Sequence, residues 1–384
     1  MRILMAMQSL AMGGAEKFFT NLARALAERH EVVCYIPAFG CGDPMMQRRM
    51  HGLSVRSIPL FTTFGYRVFY KLTLMLQRRF PDFDPEAGWH DHNLRALHRK
   101  HRFDIVNAQL MEGTRQVCRA FEHVRLPITE SDHGDFAMVD PHHPGHNAVI
   151  FRRLDALVCP AEANQRKARL YPWRENLKLE VIRYGYQTSP DTSTALSSEP
   201  GAITFGMVAR GVVEKGWEEA LAAARIVRQR SARPVRLVLA GAGPCLDQLA
   251  RRLTAEERAW ILTPGQQENP EAWIRGFDVG LLPTHLAGES LPNTIIEYLA
   301  CGKPVIATSI GGIPEMIHQA GRLIPLGANG RADITALADA MCELLDDAAR
   351  AECRARTAEA FAPYSMAACV ASYEQLFSRL SAPN

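Results

Sequence analysis

Apolar and polar residues follow one another along this chain in two rhythms that keep exchanging. Arg2 to Met7 is nearly all apolar and predicts a buried strand. A loop carrying Gly13 and Gly14 comes next. From about Ala15 to Arg29 the spacing of Phe18, Leu22 and Leu26 lays one apolar stripe along a helix. EVVCYIPAF then supplies a second strand, which completes one βαβ unit. FDIVNAQ, LPITESDHG and LDALVCPAE read as further short strands of a parallel sheet, the last leading into a helical stretch.

At residues 189–201, SPDTSTALSSEPG, the composition turns to Ser, Thr, Pro and Gly and predicts a linker. The rhythm then restarts. ITFGMVAR, VRLVLAGAGP, AWILTPG, FDVGLLPT and PVIAT read as strands, and WEEALAAARIVRQR, CLDQLARRL, NPEAWIRG and NTIIEYLACG as helices between them. No short internal repeat appears. The pattern predicts two Rossmann-like α/β domains in tandem, with a cleft between the C-terminal edges of their sheets, where open sheets take ligands.

Composition narrows the class. A chain of 384 residues, 47% hydrophobic and 22% charged, can bury more than one core. Residues 1–190 carry a net charge of +7 and the rest −4, and eleven of the thirteen histidines lie in the basic part. An anionic surface or ligand suits that half, as does a plain solvated basic face. Nine cysteines without one C-x-x-C pair fit free thiols in a reducing compartment, so a cytoplasmic protein is expected. The N-terminus is too broken at Gln8 for a secretory signal and is better explained as the first strand. No apolar run approaches the roughly 20 residues that span a bilayer, which leaves peripheral contact as the expected mode of any membrane association.

The candidate chemistry centres on ESLPNTIIE, Glu289 to Glu297. Pro292 can open a helix and Gly302 with Pro304 ends it, which predicts a helix over Asn293 to Cys301. Glu289 then lies in the loop before the helix and Glu297 one turn inside it. Free N–H groups near Leu291, Asn293 and Thr294, around the helix-opening Pro292, point the helix start at the same space, a layout for an anion flanked by hydroxyls. Two solvated glutamates are the alternative.

E-S-L-P-N-T-I-I-E, A-C-G-K-P-V-I-A-T and G-G-I-P-E, with R-G-V-V-E-K-G at 210–216, A-G-A-G-P at 240–244 and G-G-A-E-K at 13–17, resemble in their order the retaining glycosyltransferases of GT-B fold called glycosyl transferases group 1. The resemblance implies that Glu297 binds the ribose of a nucleotide-sugar and that Glu289 touches the donor sugar. It further implies that Arg210 and Lys215 grip the diphosphate, where fixed cations stabilise a leaving nucleotide. Gly13 and Gly14 would let the backbone approach the donor phosphate or the acceptor. His133, after the strand-like LPITES, would face the donor sugar. The family needs no metal, so no cofactor is expected.

Other features fit less well. HDH at 90–92 and HHPGH at 142–146 lack the spacing of a closed zinc site. Gly241-x-Gly243 lacks the third glycine of a dinucleotide fingerprint, since Leu246 stands there. Residues 64–80 mix aromatic, aliphatic and four basic residues without an acid, and suit either an anionic membrane surface or a helix packed on the first domain. Where the family often has Pro-Asn-Gly, this chain reads Ile182-Arg183-Tyr184-Gly185.

The reading is a GT-B chain with residues 1–188 binding the acceptor, 200–362 binding the nucleotide-sugar, and 363–384 packing back on the first domain. A UDP- or GDP-sugar donor, a saccharide or lipid-linked acceptor, and a place in bacterial surface polysaccharide synthesis, with no nucleic acid partner, follow from the resemblance. A nucleotide-sugar epimerase, a phosphorylase or a non-catalytic nucleotide-sugar-binding protein on the same plan is the alternative, and an NAD-dependent dehydrogenase the outside one.

Overall fold

The computed structural model describes residues 1–11, 13–57, 68, 71–72, 75–76, 85–134, 145–189, 193–196 and 200–382. The chain forms two compact units. One holds residues 1–185 with 366–384, the other residues 186–365.

In the first unit, seven parallel strands line up in the order β3-β2-β1-β4-β5-β6-β7. They are β1 (Arg2–Ala6), β2 (Glu31–Tyr35), β3 (Ser54–Arg56), β4 (Ile105–Gln109), β5 (Ile128–Ser131), β6 (Ala156–Cys159) and β7 (Lys178–Val181). The order reverses between β1 and β4, so the loops leaving those strands flank the topological switch point. Leu4, Val33, Val106, Ile128 and Leu157 pack one face of this sheet against Phe121 and Phe151.

The helix Gly14–Ala27 buries Phe18, Leu22 and Leu26, the stripe its spacing predicts. The helix Met366–Ser381 belongs to this unit as well, burying Tyr373, Leu376 and Phe377. Its Glu374 accepts from His30 at 2.8 Å and pairs with Arg29 at 3.1 Å.

The second unit carries six parallel strands in the order β10-β9-β8-β11-β12-β13. They are β8 (Ile203–Val208), β9 (Val235–Ala240), β10 (Ile261–Gly265), β11 (Val279–Leu282), β12 (Val305–Thr308) and β13 (Gly321–Ile324). Here the switch point falls between β8 and β11. Phe205, Leu237, Val279 and Ile306 pack with Trp217, Leu337 and Met341. Part of the Ser/Thr/Pro-rich stretch packs on this unit: Ala195 donates to the Ala272 carbonyl at 2.8 Å and Leu196 is buried.

The strands that the hydrophobic pattern misses are β3, β7 and β13. SVR and KLEV are half-exposed edge strands without a continuous apolar run, and GRLI carries an arginine and an exposed leucine.

Candidate functional site

At the C-terminal edge of the second unit, β8 runs out into Arg210 and a short 3-10 turn, Val213–Lys215. Trp217 donates its indole N–H to the Arg210 carbonyl at 2.9 Å, which fixes the backbone there. The Arg210 side chain is exposed, and its guanidinium has no partner among the described residues. Gly216 follows at φ +84, and a Cβ there would overlap the Pro283 carbonyl, so the loops after β8 and β11 touch at backbone level.

That contact delivers Lys215 to Glu289. The Lys215 Nζ lies 2.6 Å from Glu289 Oε2, with both side chains about nine-tenths buried. Thr284 Oγ1 stands 2.9 Å from the same oxygen and 3.0 Å from the Glu214 carbonyl, and His285 donates its backbone N–H to that carbonyl at 2.8 Å. A buried pair held in this way is costly to break from one side only.

The helix begins at Asn293 and ends at Ala300, with Pro292 as its N-cap residue, one position ahead of the predicted opening, and Cys301 as its C-cap. Its end is a Schellman motif: Gly302, at φ +67, donates to the Leu299 carbonyl and Lys303 to the Tyr298 carbonyl. Its side is pinned to the sheet. Thr294 Oγ1 donates to the Val208 carbonyl at 3.0 Å, and the buried Tyr298 hydroxyl accepts from the Val208 N–H at 2.9 Å while facing the Gly206 and Leu281 carbonyls.

Glu297, between those two anchors, is buried at 4% exposure. Burial first, and then the charge of Glu297, push the Tyr186 hydroxyl far above its ordinary pKa, so that phenol stays protonated. It donates to the buried Glu271 carboxylate, which also accepts from the Ser189 N–H and Arg275.

Leu291 and Pro292 are buried, and no side chain caps the helix start. Gly311 closes the loop from behind. It has φ +54, and a Cβ there would overlap the Glu289 carbonyl, while Gly312 donates to the Ser290 carbonyl at 2.9 Å. The second unit therefore brings Lys215 to Glu289, and Thr294 and Tyr298 to the end of β8 with Glu297 on the helix between them, while Arg210 makes no contact with the pair.

Gly241 and Gly243 serve the scaffold. Gly211 donates to the Ala242 carbonyl and accepts from Cys245, so the turn lies against backbone. In the stretch after β10, Gln267 is committed, donating to the Pro264 carbonyl and accepting from the Trp273 indole, each at 2.8 Å.

In the first unit, His133 stands two residues beyond β5 with both ring nitrogens engaged. Gln109 donates its amide N–H toward Asn107 Oδ1 at 3.3 Å, which turns its carbonyl oxygen to His133 Nε2 at 3.1 Å. A carbonyl only accepts, so Nε2 carries the proton and Nδ1 accepts from the Tyr184 hydroxyl at 2.7 Å. Burial lowers the His133 pKa to about 3, and the ring stays neutral. Phe18 packs edge-on against it with centroids 5.8 Å apart.

Gln109 and Tyr184 escape the sequence reading. Tyr184 falls inside the Ile182–Gly185 departure, and the change there is a hydroxyl delivered to His133. At the Gly13-Gly14 turn, the Glu16 carboxylate occupies the space beside Gly13, placing a negative charge at the helix start.

The HDH histidines have structural work: His90 is buried against the Tyr35 hydroxyl at 2.8 Å, and Asp91 pairs with Arg119 at 3.1 Å. Among the described residues no group of three or more His, Cys, Asp or Glu is placed to hold a metal. His142 and His143 lie outside the described residues, as does most of 64–80. Of that segment Val68, Leu72 and Met75 are described, helical and exposed.

Residues 12–189 match the family model Glycosyltransferase Family 4, and residues 202–347 match Glycosyl transferases group 1. In fold the chain is similar to the Anabaena Alr3699/HepE structure in complex with UDP, at TM-score 0.74 and 18% identity, over 99% of this chain and 100% of that one. The fold is thus that of the GT-B glycosyltransferases, and each of the two units matches a glycosyltransferase family model.

Among curated proteins, the chain is 36% identical over 129 residues to the N-acetyl-alpha-D-glucosaminyl L-malate synthase of Bacillus anthracis, covering 32% of this chain and 31% of that protein. It is 29% identical over 214 residues to a D-inositol 3-phosphate glycosyltransferase of Corynebacterium urealyticum, covering 52% and 49%. The matched regions thus span about a third to a half of the length of these relatives.

Proposed function

We propose that the chain transfers a sugar from a nucleoside diphosphate sugar to a hydroxyl of a saccharide or lipid-linked saccharide, with retention at the anomeric carbon. The observation that carries this reading is the Lys215–Glu289 pair at the switch point of the second sheet, with the free Arg210 cation on the same edge. A diphosphate arriving there meets Arg210 directly. Lys215 then divides its charge between phosphate and Glu289, and the Glu289 carboxylate turns to donor-sugar hydroxyls. Glu297, fixed by the Thr294 and Tyr298 anchors, takes the ribose.

In this mechanism the bond from the anomeric carbon to the phosphate oxygen breaks as the acceptor hydroxyl attacks from the same face, and its proton passes to the departing phosphate. Arg210 and Lys215 stabilise the charge that grows on the leaving group. No metal is required for that step. A UDP-sugar is the favoured donor, since the Anabaena structures of like fold carry UDP and UDP-glucose. His133 orients the donor sugar by holding the floor of the first unit's site.

The setting in which we place the chain is cytoplasmic, in surface polysaccharide synthesis, with residues 64–80 touching an anionic membrane. No helix among the described residues is long and apolar enough to cross one. Sedimentation with anionic liposomes at low salt tests the contact, where screening is weakest.

The donor is tested by thermal shift with UDP-, GDP-, ADP- and dTDP-sugars on wild type and Glu297→Ala. A ligand that binds the native state raises Tm by mass action. One nucleotide series should shift the wild type and fail to shift the variant. A shift by NAD alone, or by none of them, overturns the reading. Conversion of the donor without acceptor identifies an epimerase, and consumption of inorganic phosphate a phosphorylase.

A further inference from the structure

The far edge of the second unit's sheet carries a cavity of about 130 Å³ lined by Phe277, Asp278, Lys303, Asp347, Arg350 and Arg354. Asp278 immediately precedes β11 and Lys303 nearly abuts β12, so the cavity lies at the N-terminal ends of strands whose C-terminal ends lead to Glu289. A four-residue strand separates the two edges by roughly 13 Å.

Charge in this cavity is unbalanced. Asp347 is already shared by Arg233, at 3.0 Å, and Arg350. Arg350 also donates to the Leu344 carbonyl at 2.9 Å. Asp278 accepts the Thr204 N–H at 2.8 Å. Against that one further carboxylate stand two cations, Lys303 and Arg354.

Lys303 is buried at 8% exposure, and its ammonium, with three protons to donate, meets one carbonyl, that of Arg275 at 2.7 Å. The Arg354 guanidinium has no partner among the described residues. Burial first, and then the charge of Arg354, hold Lys303 below its ordinary pKa. Two cations repel each other here in the absence of a bridging anion.

We propose that this cavity binds a phosphate group between Lys303 and Arg354, either as inorganic phosphate or as a small phosphomonoester. The volume is well below the ~300 Å³ at which pockets for drug-sized ligands begin, which favours a single oxyanion over a nucleotide. Lys303 is also the residue whose N–H closes the Schellman end of the helix carrying Glu297. An anion drawn to its side chain therefore braces that helix from the end opposite the donor.

The test is isothermal titration of inorganic phosphate and, separately, of glycerol 3-phosphate, at ionic strength held constant with chloride. Wild type, Arg354→Gln, Lys303→Gln and Arg210→Gln are compared. Arg354 is exposed, so its variant should fold, and an unchanged Tm in chloride verifies that. Wild type and Arg210→Gln should bind, with Arg354→Gln weaker by roughly tenfold or more.

Binding of phosphate alone assigns the site to the free ion, and binding of both to a phosphomonoester. No binding to wild type overturns the proposal. So does binding lost in Arg210→Gln and kept in Arg354→Gln, which would put the anion at the donor edge. Neither failure touches the donor reading, which is tested separately with nucleotide-sugars and Glu297→Ala.

Discussion

Lys215 and Glu289, 74 residues apart in the chain, share one buried contact of 2.6 Å, and Thr284 stands at hydrogen-bond distance from the same carboxylate oxygen. Cutting Lys215 to methionine leaves the Glu289 charge buried without its counterion, a loss of about 3–5 kcal/mol. Neutralising the acid as well, in Lys215→Met/Glu289→Gln, removes the orphaned charge, so the double variant should be more stable than Lys215→Met alone. Urea midpoints of the four-member cycle measure it. Additive losses would show that the pair is not coupled.

Gly311 tests whether the loop bearing Glu289 is held from behind. Gly311→Ala meets both a positive φ and the Glu289 carbonyl, whereas Gly330, at φ +74 with nothing nearby, meets strain alone. Gly330→Ala should cost about 1 kcal/mol. Gly311→Ala should cost clearly more and also abolish the nucleotide-sugar thermal shift, which Gly330→Ala should leave intact. Equal effects on stability would mean that the Gly311 contact is soft.

How much of this was legible beforehand follows from what each residue needs. Both sheets show in the sequence because buried parallel strands are continuous apolar runs, and the helix from Asn293 shows because proline and glycine punctuate it. The partnership of Lys215 with Glu289 does not, since no local period links loops that meet through the β8–β11 neighbourhood. Gln109 and Tyr184 are hidden for the same reason: they converge on His133 from β4 and from the turn after β7. The role of Gly311 is carried by a backbone approach, which side-chain patterning cannot encode.

Tyr298 anchors the glutamate-bearing helix through its hydroxyl. Tyr298→Phe keeps the ring over Gly280 but takes the hydroxyl partner from the half-buried Val208 N–H, at a cost of about 1 kcal/mol. Thr294→Val removes the neighbouring bond to the Val208 carbonyl. If these anchors position Glu297, each variant should weaken nucleotide-sugar binding beyond what its loss of stability explains. Calorimetry at a temperature where every variant is folded separates the two effects.

His133 makes stability depend on pH in a direction that can be worked out. Burial lowers its folded pKa to about 3 against 6.5 when unfolded, so the unfolded chain takes up a proton that the folded one refuses. The stability contributed by neutral His133 is fully present above pH 6.5 and is lost as pH falls toward 3, at up to about 1.4 kcal/mol per pH unit. His133→Gln has no proton to take up in that window, so its stability should fall less steeply than the wild type's between pH 6.5 and 4.5. Urea midpoints at matched pH give the difference directly, because every other titrating group is common to both proteins. Parallel curves would mean that His133 titrates alike in both states and that the Gln109 and Tyr184 contacts do not hold a neutral ring.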